Sequence, residues 1–501
     1  MALHSQKSDQ DGPEPLEQQS QQFLQAALQH LADHSGDRDA FFAFLTERQE
    51  ELNETLLQVL ENKLSPNPQS IHQSTSENAW GFWHFGYWLE RFPLGIRWIN
   101  LELAIAAYQI ALQSYSQQQS PQNWAALQNN LAIAYRNRIR GDRADNLELA
   151  IQTYQLALQV RTREAFPQDW AMTQMNLAGA YYDRIRGNRA ENLELAIQTY
   201  QLALQVHTRE AFPQKWAMTQ MNLAGAYYDR IRGDRAENLE LAIQTYQLAL
   251  QVRTREAFPQ KWAMTQGNLA RAFYDRSRLN HDPKDLDQAI SLVQTALEVA
   301  TPGSYYFISH QYFLGNALAH RYEERQIPND LEQAIQAYRI AYQFLSPQHY
   351  DRHDFWQAIP QTQAILGNRL VKDGRWQEGL QLLLNSLEQL SQEGDPQAHA
   401  HALLQTGQAY ELLTDWDNAR LYYRDALRLF EHLKDPPGIA KSRAGLGGVL
   451  VSQGHLEKGM MELSAARDIY NQLNQTDDVT AVDQVYQAAQ RVLQQQSEVL
   501  L

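Results

Sequence analysis

The middle of the chain repeats itself almost without change. Residues 146–191 and residues 192–237 are identical at all but three of 46 positions. The three differences are Arg161/His207, Asp169/Lys215 and Asn188/Asp234. The same 46-residue period separates Trp124, Trp170, Trp216 and Trp262. Such a period predicts one supersecondary unit stacked many times, each copy contacting mainly its neighbours, rather than a chain folded around one central core.

Each repeat is predicted to be a pair of helices. In residues 192–205, apolar residues recur every three or four positions, the spacing of an amphipathic helix. Asn192 suits the N-cap of this helix. The predicted caps of the same element along the chain are Asn100, Asn146, Asn192, Asn238, Asp285 and Asp330. The other element follows Phe212 and Pro213, and proline suits the first turn of a helix.

The repeat resembles the tetratricopeptide repeat (TPR). The resemblance rests on Asn222-Leu-Ala-Gly-Ala-Tyr227, followed by Ala242, Tyr246 and Ala249. The usual unit has 34 residues, and here about twelve more lie in the turns. This long form is similar to arrays in cyanobacterial TPR proteins, which often end in a caspase-like CHAT protease domain. Because the chain has no cysteine, we expect it to lack the CHAT activity.

The resemblance implies an all-α, right-handed superhelical TPR solenoid of about nine helix-pair repeats, with a small helical N-terminal module. That module should contain two helices. The predicted organisation is a disordered N-terminus (1–15), the helical module (16–64), a linker (65–77), the long-period array (78–362), shorter-period repeats (363–475) and a C-terminal capping helix (476–501).

Composition narrows the function. The formal charge of −15, from 43 Lys and Arg against 58 Asp and Glu, disfavours binding to nucleic acid and to anionic membranes. The sequence has no nucleotide-binding motif and no ligand spacing of a known metal site, so we expect no catalytic residue, no metal and no cofactor. The first twenty residues are polar, and no segment is apolar enough to span a membrane. We expect a cytoplasmic protein that is not an enzyme.

One asparagine in each long repeat is a candidate peptide ligand. In TPR proteins that grip extended chains, this position projects into the groove, where an amide can pair with a peptide's backbone N–H and C=O. The alternative is a hydrogen bond inside the array, and the sequence does not decide between them. The four residues are Asn130, Asn176, Asn222 and Asn268.

Other positions that match the inner face of a TPR are occupied by tyrosine and aspartate. The aspartates are expected to be exposed. The candidate residues are Tyr182, Tyr228, Tyr274, Asp183, Asp229 and Asp275. Methionines on the same helices, such as Met175 and Met221, are more consistent with core packing.

Two further clusters have both a structural and a functional interpretation. The aromatic residues between Trp80 and Trp88 either pack against the N-terminal module or form an anchor pocket. The arginines in the turns, such as Arg138, Arg184 and Arg230, either form a basic ridge or are neutralised by nearby carboxylates. The structural interpretation is favoured in both cases.

The sequence therefore predicts a protein–protein interaction scaffold or adaptor, which binds peptide or helical segments of partner proteins in a concave TPR groove. The alternative is an intracellular signalling regulator whose TPR array senses a ligand and controls an effector protein. The identity of the partner does not follow from the fold.

Overall fold

The computed structural model describes residues 15–64, 76–346, 352–393 and 395–499. It divides into two compact units, Met1–Thr254 and Arg255–Leu501. All regular secondary structure in the described residues is helical. The predicted disordered N-terminus up to residue 14 and the predicted linker up to residue 75 lie outside the described residues. Ser76 and Glu77, the last two residues of that linker, belong to a helix.

The first unit contains eleven α-helices and one 3-10 turn at Gln49–Glu51. The helices are α1 (Leu16–Asp33), α2 (Arg38–Glu47), α3 (Glu54–Leu64), α4 (Ser76–Leu89), α5 (Arg97–Ser114), α6 (Pro121–Asn137), α7 (Arg143–Val160), α8 (Pro167–Asp183), α9 (Arg189–Leu204), α10 (Pro213–Tyr228) and α11 (Arg235–Leu250).

The second unit contains another eleven helices. They are α12 (Pro259–Asn280), α13 (Pro283–Leu297), α14 (Tyr305–Arg325), α15 (Pro328–Phe344), α16 (Arg352–Lys372), α17 (Trp376–Glu393), α18 (Pro396–Leu412), α19 (Trp416–Leu433), α20 (Pro436–Ser452), α21 (Leu456–Gln472) and α22 (Thr476–Val499).

Helices α4 to α21 pack as nine consecutive pairs, from α4 with α5 to α20 with α21. Helix α22 then packs against α21. The predictions of an all-α fold and of about nine helix-pair repeats are confirmed. Proline occupies the first turn of α6, α8, α10 and α12, as the sequence predicts.

The segment before the repeats has three α-helices, where the sequence analysis expected two. The break between α2 and α3 contains the 3-10 turn and Asn53, whose Oδ1 accepts a hydrogen bond from the backbone N–H of Leu56 at 3.0 Å. Helix α1 packs on α4, and α3 packs on α5. These helices therefore share one hydrophobic core with the first repeats.

The aromatic cluster of α4 is part of this core. The ring of Phe85, fully buried, packs edge-on against Phe41 of α2 at 6.2 Å. The indole N–H of Trp88 donates to the backbone oxygen of Gly36 at 3.0 Å. The structural interpretation of the aromatic residues is confirmed for Phe85 and Trp88.

The second helix of each long repeat begins two or three residues before its predicted cap. Asn188 caps α9 by accepting a hydrogen bond from the backbone N–H of Glu191 at 3.2 Å. Asn192 lies inside the first turn, almost fully buried, and its Nδ2 donates to the oxygen of Arg186 at 2.9 Å. This hydrogen bond satisfies a backbone carbonyl of the preceding turn, which has no partner within a helix.

The same correction applies to all six predicted caps. Asn100, Asn146 and Asn238 donate back to turn carbonyls, as Asn192 does. Asp285 and Asp330 instead accept bidentate hydrogen bonds from Arg276 and Arg321. The prediction that these residues are N-caps is wrong. In α7, α9, α11 and α13 another cap-forming residue lies three or four positions earlier and caps the helix. The predicted residue is buried inside the first turn, and its burial decides where the helix begins.

Arginines at the ends of the first helices tie each repeat to the one before it. Arg184 donates through Nε and Nη2 to the two carboxylate oxygens of Glu148, at 2.7 and 2.9 Å. The equivalent pairs are Arg138 with Glu102 and Arg230 with Glu194. Two parallel hydrogen bonds from one guanidinium group to one carboxylate fix the orientation of both side chains. The interpretation that nearby carboxylates neutralise the turn arginines is thus confirmed for these three residues. They do not form a basic ridge.

A buried basic position near the end of the second helix differs between the two nearly identical repeats. Arg161 donates to the hydroxyl of Thr173 at 3.0 Å and lies 3.8 Å from the Asp169 carboxylate. His207 is fully buried 3.4 Å from the hydroxyl of Thr219, and Lys215 replaces the aspartate. Burial, helped by Lys215, lowers the pKa of His207 from 6.5 to about 4.

His310 of α14 is the second deeply buried histidine. Its Nε2 lies 3.2 Å from the backbone oxygen of Ala263, and burial lowers its pKa from 6.5 to about 4. The ring occupies the space beside Gly267, where an added Cβ would lie 1.9 Å from Cε1. The two repeats before Gly267 have Met175 and Met221 at the position of this glycine. The array therefore changes its packing at this repeat.

Acidification from pH 6.5 to 4 should destabilise the protein through His207. The folded state holds this ring neutral while the unfolded chain takes up a proton, so stability is greatest above pH 6.5 and falls as the pH drops. The loss should approach about 3 kcal/mol for a shift of this size. Urea unfolding of His207→Gln at several pH values should show a shallower pH dependence than the parent, whereas the exposed His432→Gln should not. Equal pH dependence in His207→Gln would contradict a neutral buried ring.

Deleting residues 146–191 should leave a folded protein that is one repeat shorter. The deletion joins Asp145 to Asn192, and Asp229 takes the place of Asp183 opposite Arg136. We expect cooperative thermal unfolding within about 5 °C of the parent, because the new interface is nearly identical to the old one. Deletion of residues 146–166, which removes all of α7 except its first turn and leaves α8 whole, is the matched control and should not fold cooperatively. Loss of cooperativity in the full-repeat deletion would show that distant repeats contact each other.

Candidate peptide-binding face

The candidate residues lie on the first helices of the repeats, α6, α8, α10 and α12. In the first unit, α6 contacts α8 and α8 contacts α10. We call the surface formed by α6, α8 and α10 in the first unit the first-helix face. Asn130, Asn176 and Asn222 are partly exposed on it, and Asn268 is partly exposed on α12 of the second unit.

Two of the four asparagines bind within the array. Nδ2 of Asn176 donates to Oδ1 of Asn129 on the preceding first helix at 3.3 Å. Nδ2 of Asn129 in turn lies 3.4 Å from Oδ1 of Asn130. Oδ1 of Asn129 also accepts from the hydroxyl of Thr173 at 3.3 Å. The structural alternative therefore describes part of what Asn130 and Asn176 do.

Asn222 in the first unit and Asn268 in the second differ from them. Both side chains are partly exposed, and neither has a hydrogen-bond partner among the described residues. Asn176 binds Asn129, which lies 47 residues before it. The residue 47 positions before Asn222 is Met175, and the one 47 positions before Asn268 is Met221. Methionine has no amide oxygen, so the hydrogen bond of Asn176 has no counterpart at these two residues. These two amides are free to bind a ligand.

Most of the candidate tyrosine and aspartate residues are partly buried. Two side-chain contacts, which we call rungs, connect consecutive first helices. The hydroxyl of Tyr182 donates to the carboxylate of Asp229. Asp183 accepts from Nε of Arg136 at 2.9 Å and lies 3.9 Å from Arg143. Burial, with the Asp229 bond, raises the pKa of Tyr182. The expectation of exposed aspartates is wrong for these two, because each is used to join neighbouring repeats.

An arginine lies over the ring of each candidate tyrosine. Arg189 is 5.1 Å from the ring centroid of Tyr182, and Arg235 is 5.1 Å from that of Tyr228. Arg278 is 5.9 Å from Tyr274 in the second unit. Asp275, like Tyr274, is partly buried. Each tyrosine ring is thus held by a cation, which leaves its orientation fixed before any ligand binds.

The sequence analysis did not select Arg136 or Glu90, which hold the position equivalent to Tyr182 in the two preceding repeats. Burial raises the pKa of the Glu90 carboxyl, which accepts from the hydroxyl of Tyr108 at 3.1 Å. Arg136 lies over Gly179, where an added Cβ would be 2.6 Å from its Nη1. The 46-residue spacing from Tyr182 could have identified both residues.

No group of three or more His, Asp or Glu side chains suited to a metal ion occurs in the described part of the chain. None of the described helices is long and apolar enough to cross a membrane.

The geometry defines a class of protein: a helix-pair repeat protein, in which the first helices α6, α8 and α10 of three successive repeats form one surface. A tetratricopeptide repeat family model matches residues 360–432, from α16 to α19. The prediction of tetratricopeptide-type repeats is confirmed. A comparison with curated proteins finds no significant match.

Solved structures with a similar arrangement are distant in sequence. One is the C-terminal part of a TPR repeat-containing protein from Cytophaga hutchinsonii, with 16% identity over 63% of this chain and 98% of that chain, and a TM-score of 0.35. Another is the apo form of the quorum sensor NprR from B. thuringiensis, with 13% identity over 83% of this chain and 100% of that chain, and a TM-score of 0.39.

Replacing the asparagines singly should separate binding residues from structural ones. Asn222→Ala should leave the free energy of unfolding nearly unchanged, because its amide has no partner to lose among the described residues. Asn129→Ala should cost about 1 kcal/mol, because it removes the acceptor of Asn176 Nδ2, whereas the Thr173 hydroxyl keeps the backbone oxygen of Asp169 as an acceptor. Denaturant unfolding of the two variants measures the difference. An equally large loss for Asn222→Ala would assign that residue to the architecture.

Proposed function

We propose that this protein is a non-enzymatic scaffold that binds extended peptide or helical segments of partner proteins on its first-helix face. The tetratricopeptide-type repeats support an interaction role in general. The finer proposal is that Asn130, Asn176 and Asn222 contact the backbone of the partner segment in the first unit, and that Asn268 contacts peptide backbone in the second. Because a backbone is common to all peptides, such contacts would tolerate many partner sequences.

One observation carries this proposal: the partly exposed amide of Asn222 has no hydrogen-bond partner among the described residues. An amide has one acceptor and two donors, so it can pair with the C=O and the N–H of a single peptide unit. Asn176 donates through its Nδ2 to Asn129, and its Oδ1 remains available as an acceptor. The repeat spaces these amides regularly.

The rungs beside the asparagines support binding in a different way. Arg136 with Asp183, and Tyr182 with Asp229, join consecutive first helices. Groups fixed in the free protein lose little side-chain entropy when a ligand binds. The charged groups of these rungs are largely compensated, so affinity should depend on the amides and on apolar contacts more than on net charge.

The alternative is an intracellular signalling regulator that senses a ligand and controls an effector protein. A cavity of about 540 Å³ in the second unit favours this function, because it has the size of small-molecule sites. It is lined by residues of α12, α14 and α16. A regulator would bind its effector and its ligand at separate places.

Changing all four asparagines to alanine should weaken binding to the natural partner without unfolding the protein. The partner is first isolated by affinity purification from native cells with the unchanged chain. Four lost hydrogen bonds of about 1 kcal/mol each would lower the affinity by roughly a thousandfold. Calorimetric titration of the purified partner into each form measures this change.

The matched control replaces exposed glutamines of the second helices, Gln152, Gln198 and Gln244, with alanine. This variant removes amides of similar polarity from another surface and should bind as the parent does. Full affinity in the four-asparagine variant, with loss of affinity in the glutamine variant, would move the binding surface to the second helices and refute the proposal.

A further inference from the structure

The cavity in the second unit lies between the first helices of three consecutive repeats. Arg271 comes from α12, Ser309 and Tyr312 from α14, and Phe355 from α16. Its walls are mainly aromatic: Tyr312 and Phe355 stack with ring centroids 4.0 Å apart and an interplanar angle of 20°. Apolar walls with a few polar groups are typical of small-ligand sites.

Arg271 differs from several arginines of the first helices. Arg136, Arg276 and Arg321 each bind a carboxylate. Arg271 instead donates to the hydroxyl of Ser309 at 2.5 Å and lies 6.0 Å from the ring of Phe313. No carboxylate pairs with it in the described ranges. A partly buried guanidinium beside aromatic rings is stabilised by an anion, because burial of an uncompensated charge is costly.

The position of Arg271 in the repeat sets it apart further. The two preceding repeats have Gly179 and Gly225 at this position. The cationic group is therefore not required by the packing of the helix pair. It is specific to the repeat that borders the cavity.

The cavity also contains one acidic group. Asp354, at the start of α16, is exposed and lines the cavity without a partner among the described residues. Phe344, at the end of α15, adds a ring that is 41% exposed. A cation, an anion and apolar rings thus border one space. A ligand of complementary chemistry has a carboxylate, an ammonium group and a bulky apolar side chain.

We propose that this cavity binds a free α-amino acid with a large apolar or aromatic side chain. Arg271 and Ser309 bind its carboxylate, and Asp354 binds its ammonium group. Tyr312, Phe344 and Phe355 contact its side chain. Both charges of the ligand are compensated, so that binding restores a charge balance to Arg271 that the protein itself does not supply.

This site is separate from the asparagines of the proposed peptide-binding function, and neither inference depends on the other. Saturable amino-acid binding in the cavity, together with unchanged partner affinity in the four-asparagine variant, would support the cavity and refute the peptide-binding proposal. The opposite pair of results would do the reverse.

Isothermal titration of the full chain with L-phenylalanine tests the site directly. We expect saturable binding of one molecule per chain. Phenylpropionate, which lacks the ammonium group, and phenethylamine, which lacks the carboxylate, should each bind at least about tenfold more weakly, as expected for the loss of a charged hydrogen bond. Glycine, which lacks the side chain, should not bind measurably. Absence of saturable L-phenylalanine binding overturns the proposal.

Variants assign the two charges. Arg271→Met should weaken L-phenylalanine binding at least about tenfold and abolish the preference for L-phenylalanine over phenethylamine. Asp354→Asn, an exposed change that leaves the helices intact, should abolish the preference over phenylpropionate. Arg375→Met is the matched control, since Arg375 is exposed and pairs with Glu378 outside the cavity. Unchanged binding in both Arg271→Met and Asp354→Asn would overturn the proposal.

Discussion

Among the described residues, each helix pair buries apolar surface against the next pair, and the structure depends on how well that interface repeats. The interface combines small and large residues: Phe430 of α19 is fully buried against Gly438 of α20, where an added Cβ would lie 2.3 Å from its ring. The arginine–glutamate pairs at the helix ends, such as Arg184 with Glu148, set the position of one repeat on the next. Packing supplies most of the stability of such a stack, and the polar pairs supply its register.

The two nearly identical repeats show how local this arrangement is. Two of their three differences fall at one place, where Arg161 beside Asp169 becomes His207 beside Lys215. In one repeat Arg161 lies 3.8 Å from the Asp169 carboxylate, and in the next the neutral His207 has Lys215 near it. The repeat after that has the buried Arg253 with Lys261 at the same two positions. These exchanges at one buried position are thus accommodated within one interface.

Periodicity predicted the helices, their pairing and the number of repeats, because these follow from the spacing of apolar residues alone. It did not predict the caps. Asn188 and Asn192 are both suitable cap residues, and only the burial of Asn192 against turn carbonyls decides between them. The candidate face was also predicted in part. Whether Asn176 or Asn222 has a partner depends on one residue of the preceding repeat, Asn129 or Met175, which single-position patterns do not register.

The packing of His310 against Gly267 has a consequence for how the array can evolve. Repeats with matching interfaces can be exchanged, duplicated or lost by recombination without a steric penalty. The helix that carries His310 accepts only a glycine opposite its ring, since any Cβ at residue 267 would overlap it. A repeat with methionine at that position cannot be its neighbour. The contact between Gly267 and His310 thus fixes which repeat precedes α14. The repeats on either side of this contact keep their order, while the number of repeats before them is free to vary.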